Sequence, residues 1–191
     1  MSSQKRKQQI IAAAAKLIAE KGFEGLRTRD IAERVSINHA TVHYHFKDKE
    51  SVIAAVVPMV TEQIYATDMA VAQKVSGSAR DKLAAVIRSN LDQRAQFPER
   101  FAIVSEFTAR ANRDRAMAQM LASQQVVWLG RMREFVAACV EGGEFRPNLD
   151  INQASLLVIT LLQGVHVKLD QSGIELYTQL YRQIEQQMLM K

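Results

Sequence analysis

The 191-residue sequence has few of the residues that break helices or cross-link chains. It contains 8 glycines, 3 prolines and one cysteine, Cys139. So few helix breakers, beside abundant Ala, Leu, Gln, Glu and Arg, argue against an all-β or collagen-like chain and predict an all-α fold. A single cysteine cannot form an internal disulfide, which is consistent with a reducing cytosol.

Long apolar segments are also missing. Apolar stretches such as residues 156–162, which include one threonine, are far shorter than the roughly 20 residues that a membrane-spanning helix needs. Lys5, Arg6 and Lys7 lie near the N-terminus, but no apolar core with a cleavage site follows them, so we predict no signal peptide. We therefore expect a cytoplasmic protein with no membrane partner.

Basic residues are concentrated in the first quarter of the chain. Residues 1–50 carry ten basic and six acidic side chains, a net charge of +4, whereas residues 51–191 carry fifteen and fourteen, a net charge of +1. Three of the four histidines also lie in the first fifty residues. Such an excess is typical of a surface that binds a polyanion, and a solvated basic face is the alternative.

Capping residues in this segment predict short helices. A first helix over residues 5–21 is expected to end at Gly22, and Thr28 is expected to N-cap the second helix. A tight turn at Ser36 and Ile37 leads to Asn38, a strong N-cap for a third helix over residues 39–46. Two short helices joined by a tight turn predict a three-helix, helix-turn-helix DNA-binding domain over residues 1–50.

The rest of the chain, residues 51–191, shows helical periodicity throughout and is expected to form a second helical domain. After a helix that begins at Lys49, capped by Asp48, we predict further helices over 79–96, from Pro98 onward, and over 116–141, 150–171 and 174–190.

The third helix presents an unusual surface. Val42 and Phe46 are four residues apart and are expected to face the core. The residues expected to face outward are His39, Ala40, Thr41, His43, Tyr44 and His45. A solubilising surface more often carries Glu and Lys, whereas hydroxyls, imidazoles and a small alanine suit a duplex groove.

Four more residues complete the predicted DNA-binding set: Thr28, Arg29, Asn38 and Lys49. Thr28 and Lys49 lie at helix N-termini, where backbone amides hold phosphates. Lys5, Arg6 and Lys7 are expected to form a mobile arm that reaches the DNA backbone or the minor groove.

Two other interpretations of the histidines remain open. His39 and His43 are four residues apart, a spacing that can bind zinc, but no cysteine or carboxylate follows at a useful spacing. We therefore predict no metal and no cofactor. The second alternative is that the exposed histidines have no role.

The motifs of this segment resemble those of the tetracycline-repressor-like (TetR) family. The matching residues are Ile31-Ala32-Glu33, Ile37, Thr41 to Phe46 and Lys49-Glu50, and the spacing from Gly22 to Lys49 also agrees. Ser36 replaces the family's turn glycine, Asn38 a capping serine, Ala40 a common glycine and His43 the usual tyrosine.

This resemblance implies a homodimeric transcriptional regulator, usually a repressor, on a pseudo-palindromic double-stranded DNA operator. It also implies that residues 51–191 form a helical ligand-binding and dimerisation domain, in which a small-molecule effector binds the C-terminal helices and changes the separation of the two DNA-binding heads. The alternative is a helical protein-interaction module with a basic head. An enzyme is not expected, because the sequence shows no Ser/His/Asp set, glycine-rich phosphate loop or motif-placed carboxylate pair.

The C-terminal helices suggest how a dimer and a pocket would form. Residues 156–162 are apolar nearly all round, so we predict an isologous four-helix interface from the last two helices, with a single buried core helix as the alternative. The predicted effector contacts are large or polarisable residues, for which plain core is the alternative: Phe101, Phe107, Met120, Trp128, Met132 and His166.

Overall fold

A computed structural model describes residues 2–164 and 169–189. Within those ranges the chain forms nine α-helices and no strand, apart from an isolated antiparallel bridge between Phe145 and Leu189. The helices are α1 (Ser3–Gly25), α2 (Thr28–Arg34), α3 (His39–His45), α4 (Lys49–Lys74), α5 (Ala79–Gln96), α6 (Pro98–Ala111), α7 (Arg115–Glu141), α8 (Ile151–Gln163) and α9 (Gln171–Gln186). The predicted all-α fold is confirmed.

The helices belong to two compact units. The first unit comprises Met1–Gln63 and Glu99–Leu121, and the second comprises Ile64–Pro98 and Ala122–Lys191. Helices α4, α6 and α7 therefore contribute residues to both units. A boundary between residues 50 and 51 remains a prediction.

In the first unit, α2 packs against α1 and α3. The apolar face of α1 is buried, with Ile10, Leu17 and Ile18 at most 2% exposed. The helix begins at Ser3, because the Ser2 hydroxyl accepts a hydrogen bond from the Lys5 amide at 3.3 Å. Lys5, Arg6 and Lys7 thus lie within α1, and the prediction of a mobile arm is wrong.

The break in α1 falls at Gly22, where the sequence predicts the helix to end. Gly22 has φ 71° and ψ 176°, a conformation that is essentially restricted to glycine. One further helical turn follows, through Gly25, so the end of α1 lies beyond the predicted position.

In the second unit, α5, α8 and α9 pack together. One apolar face of α5 is buried, with Leu83 and Leu91 at 0% exposure. The α5 bounds match the prediction, because Ser78 and Asp81 form a reciprocal capping box at its start. The predicted bounds of the last two helices are wrong: α8 ends at Gln163, and α9 runs over Gln171–Gln186 because the Asp170 side chain caps its first turn.

None of the helices in the described ranges is long and apolar enough to cross a membrane.

Candidate nucleic-acid interface and effector site

The turn between α2 and α3 is tight, as predicted. The Ile37 amide donates to the Ala32 carbonyl at 2.9 Å, and the Ser36 amide donates to the Glu33 carbonyl at 3.1 Å. Ser36 has φ 53°, in the left-handed region that a residue with a Cβ atom adopts only at a cost. The turn therefore keeps a conformation suited to glycine although a serine occupies it.

Thr28 joins α2 to α3 instead of capping its own helix. The N-cap of α2 is Arg27, which makes no side-chain capping hydrogen bond, and Thr28 is the first helical residue. The Thr28 hydroxyl oxygen lies 2.8 Å from Nε2 of His39. The predicted N-cap role of Thr28 is wrong because its hydroxyl is used across the turn.

Helix α3 is held by its cap and by its buried side. The Asn38 side chain accepts a hydrogen bond from the Ala40 amide at 2.8 Å, which confirms the predicted N-cap. Val42 is 0% exposed and Phe46 is 5% exposed, so the side predicted to face the core does so.

The opposite side of α3 is only partly solvent-facing. Tyr44 is 81% exposed and is the most exposed of the large hydrophobic residues in the described ranges. Ala40 and His43 are also exposed, whereas His39, Thr41 and His45 are half-buried. The most accessible surface of α3 is thus formed by Ala40, His43 and Tyr44.

The half-buried His39 lies between Thr28 and His43. Its Nε2 atom is 3.2 Å from Nε2 of His43, and the two rings are T-shaped with centroids 4.5 Å apart. Nε2 of His39 has either one lone pair or one proton, so it forms one full hydrogen bond and shares that lone pair or proton with the second contact. The three side chains thus lie in a row that ends at His43 on the exposed side of α3. Within residues 2–164 and 169–189, no three His, Cys, Asp or Glu residues are grouped to hold a metal ion.

Part of the basic surplus is neutralised within the first unit. Arg34 donates two hydrogen bonds to Glu20, at 2.6 and 2.8 Å, and this contact holds the pKa of the Glu20 carboxyl below its usual value. The Lys21 ammonium lies 2.7 Å from Asp30 and lowers the pKa of that carboxyl in the same way. Arg29, in the first turn of α2, is exposed.

Lys49 is half-buried at the start of α4. Its ammonium donates to the Phe23 carbonyl at 3.3 Å and lies 3.7 Å from the Glu24 carboxylate. The side chain thus contacts the end of α1, and its predicted phosphate contact remains a prediction.

The second unit buries four polar side chains that were not among the predicted site residues: Asp68, Asn90, Gln93 and Arg94. We call these four residues the polar cluster. Asp68 comes from α4 and the other three from α5, and all are at most 7% exposed. Asp68 accepts from Asn90 Nδ2 at 3.2 Å and from Gln93 Nε2 at 2.8 Å. Arg94 donates to the Leu162 carbonyl of α8 at 2.6 Å.

Burial dominates the electrostatics of the polar cluster. It raises the pKa of Asp68 to about 6 and lowers the pKa of Arg94 to about 10. The positive charge of Arg94 partly offsets the rise in the pKa of Asp68, and the negative charge of Asp68 partly offsets the fall in the pKa of Arg94. The reason is that opposite charges favour each other's ionised form. Within the described part of the chain, Oδ1 of Asn90 has no hydrogen-bond partner although Asn90 is 1% exposed.

A single acidic residue in an apolar helical stretch was the available sequence signal for this cluster. Asp68 lies in the stretch from Ile64 to Ala72, whose other members are mostly apolar. The α5 residues give no such signal, because their spacing is that of an ordinary solvated helix face.

The predicted effector contacts are divided between the two units. Phe101, Phe107 and Met120 belong to the first unit, and Trp128 and Met132 to the second. Phe107 and Met132 are fully buried, and the other three are half-buried. His166 lies outside the described residues. The role of this set remains a prediction.

Helices α8 and α9 carry exposed leucines. Leu156 and Leu157 on α8 are 56% and 44% exposed, and Leu176 and Leu180 on α9 are 55% and 38% exposed. Exposed apolar groups clustered on packed helices are typical of a protein–protein contact.

These features define a helix-turn-helix DNA-binding regulator with a helical C-terminal part. The family model for bacterial regulatory proteins of the tetR family matches residues 10–56. The model for the C-terminal part of BetI-type transcriptional repressors matches residues 79–188, more than half of the chain. The chain belongs to the TetR family of bacterial regulatory proteins. It is thus a transcriptional repressor that binds DNA and responds to a ligand. This assignment favours the regulator over the alternative of a protein-interaction module.

Individual relatives agree with this assignment. The fatty acid metabolism regulator protein of Bacillus subtilis is 26% identical over 150 residues, which cover 78% of this chain and 76% of that protein. A transcriptional regulator of Saccharomonospora viridis, solved with choline, superposes with a TM-score of 0.82 at 17% identity, over 98% of this chain and 100% of the other. FadR of Bacillus subtilis, solved with stearoyl-CoA, gives a TM-score of 0.75 at 19% identity over 93% and 96%.

Proposed function

We propose that α3 enters the major groove of a pseudo-palindromic operator and reads its bases with Tyr44, His43 and Ala40. The proposal rests above all on the 81% exposure of Tyr44, a side chain that is seldom left so open to water without a partner. Thr41 and His45 lie on the same helix and are half-buried, and Asn38 and Arg29 are exposed. A cytoplasmic location follows, because such a regulator works where the chromosome is.

The DNA-binding proposal is tested on DNA from upstream of the protein's own gene. We expect a specific complex in fluorescence anisotropy, which random-sequence DNA of equal length does not compete away. The affinity should fall steeply with salt, since phosphate contacts release counterions. A protein that binds specific and random DNA equally, with or without candidate effectors, would contradict the proposal.

We propose that the dimer forms through α8 and α9. The four leucines that these helices expose have no apolar cover within the described ranges and would be buried against the same helices of a second copy. An isologous contact of this kind yields a two-fold particle, whose heads would meet half-sites roughly 34–36 Å apart.

We propose that the polar cluster recognises the effector. Polar side chains are costly to bury in an interior that apolar residues would fill more cheaply, so a retained cluster with an unsatisfied acceptor suggests a ligand. Asn90 Oδ1 would accept a hydrogen bond from that ligand. Asp68 and Arg94 already balance in charge, so a neutral or zwitterionic molecule with a hydrogen-bond donor fits best.

The known ligands of similar structures do not decide the effector's chemistry, because choline and stearoyl-CoA differ in charge and size. Thermal-shift measurements with L-carnitine, choline, decanoate and stearoyl-CoA separate the classes. L-Carnitine is a zwitterion whose hydroxyl is a hydrogen-bond donor, so we expect it to stabilise the protein, and we expect the Asn90→Leu variant to lose this stabilisation. Stabilisation by decanoate or stearoyl-CoA alone would contradict the proposed class.

We propose that the chain acts by binding and not by catalysis. Turnover of a small molecule by the purified protein would contradict this.

A further inference from the structure

The break at Gly22 leaves a buried backbone amide that no residue of α1 satisfies. Gly22 has non-helical backbone angles, so the Phe23 amide does not continue the hydrogen-bond ladder of α1. Instead, the Phe23 amide donates to Oε1 of Glu106 at 2.7 Å, across 83 residues of sequence. Phe23 is 1% exposed, so water cannot readily replace this acceptor.

The geometry of Gly22 makes room for the carboxylate. A Cβ atom at residue 22 would lie 3.2 Å from Oε1 of Glu106, closer than such contacts normally are. The positive φ would independently disfavour any other residue. The kink in α1 and the carboxylate of α6 thus fit each other.

The carbonyl of the same residue is held from another helix. Lys49, the first residue of α4, donates its ammonium to the Phe23 carbonyl at 3.3 Å. Arg110, one turn after Glu106 on α6, lies 3.3 Å from Glu24, but that carboxylate is 86% exposed, and such pairs contribute little. The contact of Glu106 with Phe23, at 2.7 Å and to a buried residue, is therefore stronger than the pair of Arg110 with Glu24.

We propose that Glu106 is a positioning residue that holds the DNA-binding helices in the orientation that binds the operator. Because α1 packs on α2, and α2 on α3, the direction of the α1 end affects the direction of the recognition surface. Glu106 contacts no DNA in this proposal. Its loss lowers the fraction of molecules in the binding orientation, and the apparent affinity falls in proportion. The inference rests on the proposed DNA-binding function.

Three substitutions separate hydrogen-bond acceptance from charge. Glu106→Gln keeps an acceptor oxygen at the same reach but removes the charge. Glu106→Asp keeps the charge but is shorter by one methylene group, and Glu106→Leu removes both. Glu99→Leu is the matched control, because Glu99 is an exposed acid in the first turn of the same helix.

We expect operator affinity to fall roughly tenfold in Glu106→Leu and measurably in Glu106→Asp, and to stay near the wild-type value in Glu106→Gln and in the control. The salt dependence of binding to random DNA should not change, because no phosphate contact is lost. A merely structural defect would instead lower specific and random binding together and reduce the helix content in circular dichroism.

Amide hydrogen exchange at Phe23 supplies a readout that needs no DNA. Exchange should speed up in Glu106→Leu and Glu106→Asp but not in Glu106→Gln. Wild-type operator affinity in Glu106→Leu, or equal losses in the Gln and Leu variants, would overturn the proposal. If the wild-type protein binds no operator, the DNA-binding function fails and the affinity role of Glu106 fails with it, whereas the exchange result still decides whether the contact exists.

Discussion

The hydroxyl oxygen of Thr28 lies 2.8 Å from Nε2 of His39, so the first residue of α2 is tied to the first residue of α3. The contact spans the turn at Ser36 and is continued to His43 at 3.2 Å. The histidine-rich surface is therefore linked by side-chain contacts to the preceding helix, which restrains the orientation of α3.

This relationship predicts energetic coupling between Thr28 and His39. Thr28→Val keeps the shape of the side chain and removes its hydroxyl, and His39→Ala removes the partner. Each should lower operator affinity several-fold, and the double variant should lose about 1 kcal/mol less than the sum of the two. Anisotropy titrations of the four proteins measure this cycle, and strict additivity would show that the contact is irrelevant to binding.

Tyr44 should be decisive for sequence recognition and unimportant for folding. Because the side chain is 81% exposed, Tyr44→Ala should change the free energy of unfolding by less than about 0.5 kcal/mol. Specific binding should weaken at least tenfold while random-DNA binding changes little, and Tyr44→Phe shows how much of the loss belongs to the hydroxyl. Val126→Ala, at an exposed residue of α7, is the control. Unchanged operator affinity in Tyr44→Ala would refute the base-reading role.

The left-handed turn residue offers a stabilising change. Replacing Ser36 with glycine removes the penalty of φ 53° but makes the unfolded chain more flexible. Because the removed penalty is the larger of these two effects, Ser36→Gly should raise the free energy of unfolding by about 0.5–1 kcal/mol, whereas Ser36→Val should lower it. Urea unfolding followed by circular dichroism measures both variants, and a destabilised Ser36→Gly protein would contradict the assigned backbone conformation.

Helix starts and caps are predicted correctly where the residue that marks them has only one structural role. Pro98 marks the start of α6, and Asn38 caps α3 as expected. The predicted N-cap role of Thr28 is wrong because a threonine hydroxyl can either cap a helix or form a hydrogen bond across a turn. The partner across the turn, His39, is eleven residues away. The sequence shows the hydroxyl but not the fold that brings its acceptor close.

Contacts between residues that are far apart in the sequence cannot be predicted from local patterns, for the same reason. Glu106 meets Phe23 only because a kink at Gly22 frees an amide, and no periodicity links positions 83 residues apart. The polar cluster depends on α5 side chains that periodicity assigns to solvent, until α4 and α8 cover them. Burial of a polar group is a property of the packed helices and cannot be seen in one helix alone.

The dimer prediction is tested by charge insertion. Leu156→Arg and Leu176→Arg place a cation on the exposed sides of α8 and α9, where an apolar interface would have to desolvate it. Each should convert the dimer to a monomer in analytical ultracentrifugation and abolish tight operator binding. Val126→Arg inserts the same charge on α7, where the exposure is 70%, and should remain dimeric. A dimer that survives both leucine variants would exclude the α8/α9 interface.

The buried carboxyl of Asp68 should make stability depend on pH in an unusual direction. Its pKa is raised from 3.8 to about 6, so the folded protein binds this proton more tightly than the unfolded chain does. Lowering the pH from 7 to 5 should therefore increase the free energy of unfolding through this group, by roughly 1 kcal/mol. Glu20 and Asp30, whose pKa values are lowered, lose their stabilising contribution only at more acidic pH.

Asp68→Asn should make the free energy of unfolding depend less on pH between 5 and 7. The contributions of titratable groups that both proteins share cancel when the variant is compared with the wild type. Asp92→Asn is the matched control, because Asp92 is a half-buried carboxylate of α5 whose hydrogen bonds go to Arg88 and not to the polar cluster. Chemical unfolding at pH 5 and pH 7 measures all three proteins. An equal change between the two pH values in wild type and Asp68→Asn would mean that Asp68 is ionised as readily in the folded protein as in water, and the polar cluster would then be more hydrated than its burial indicates.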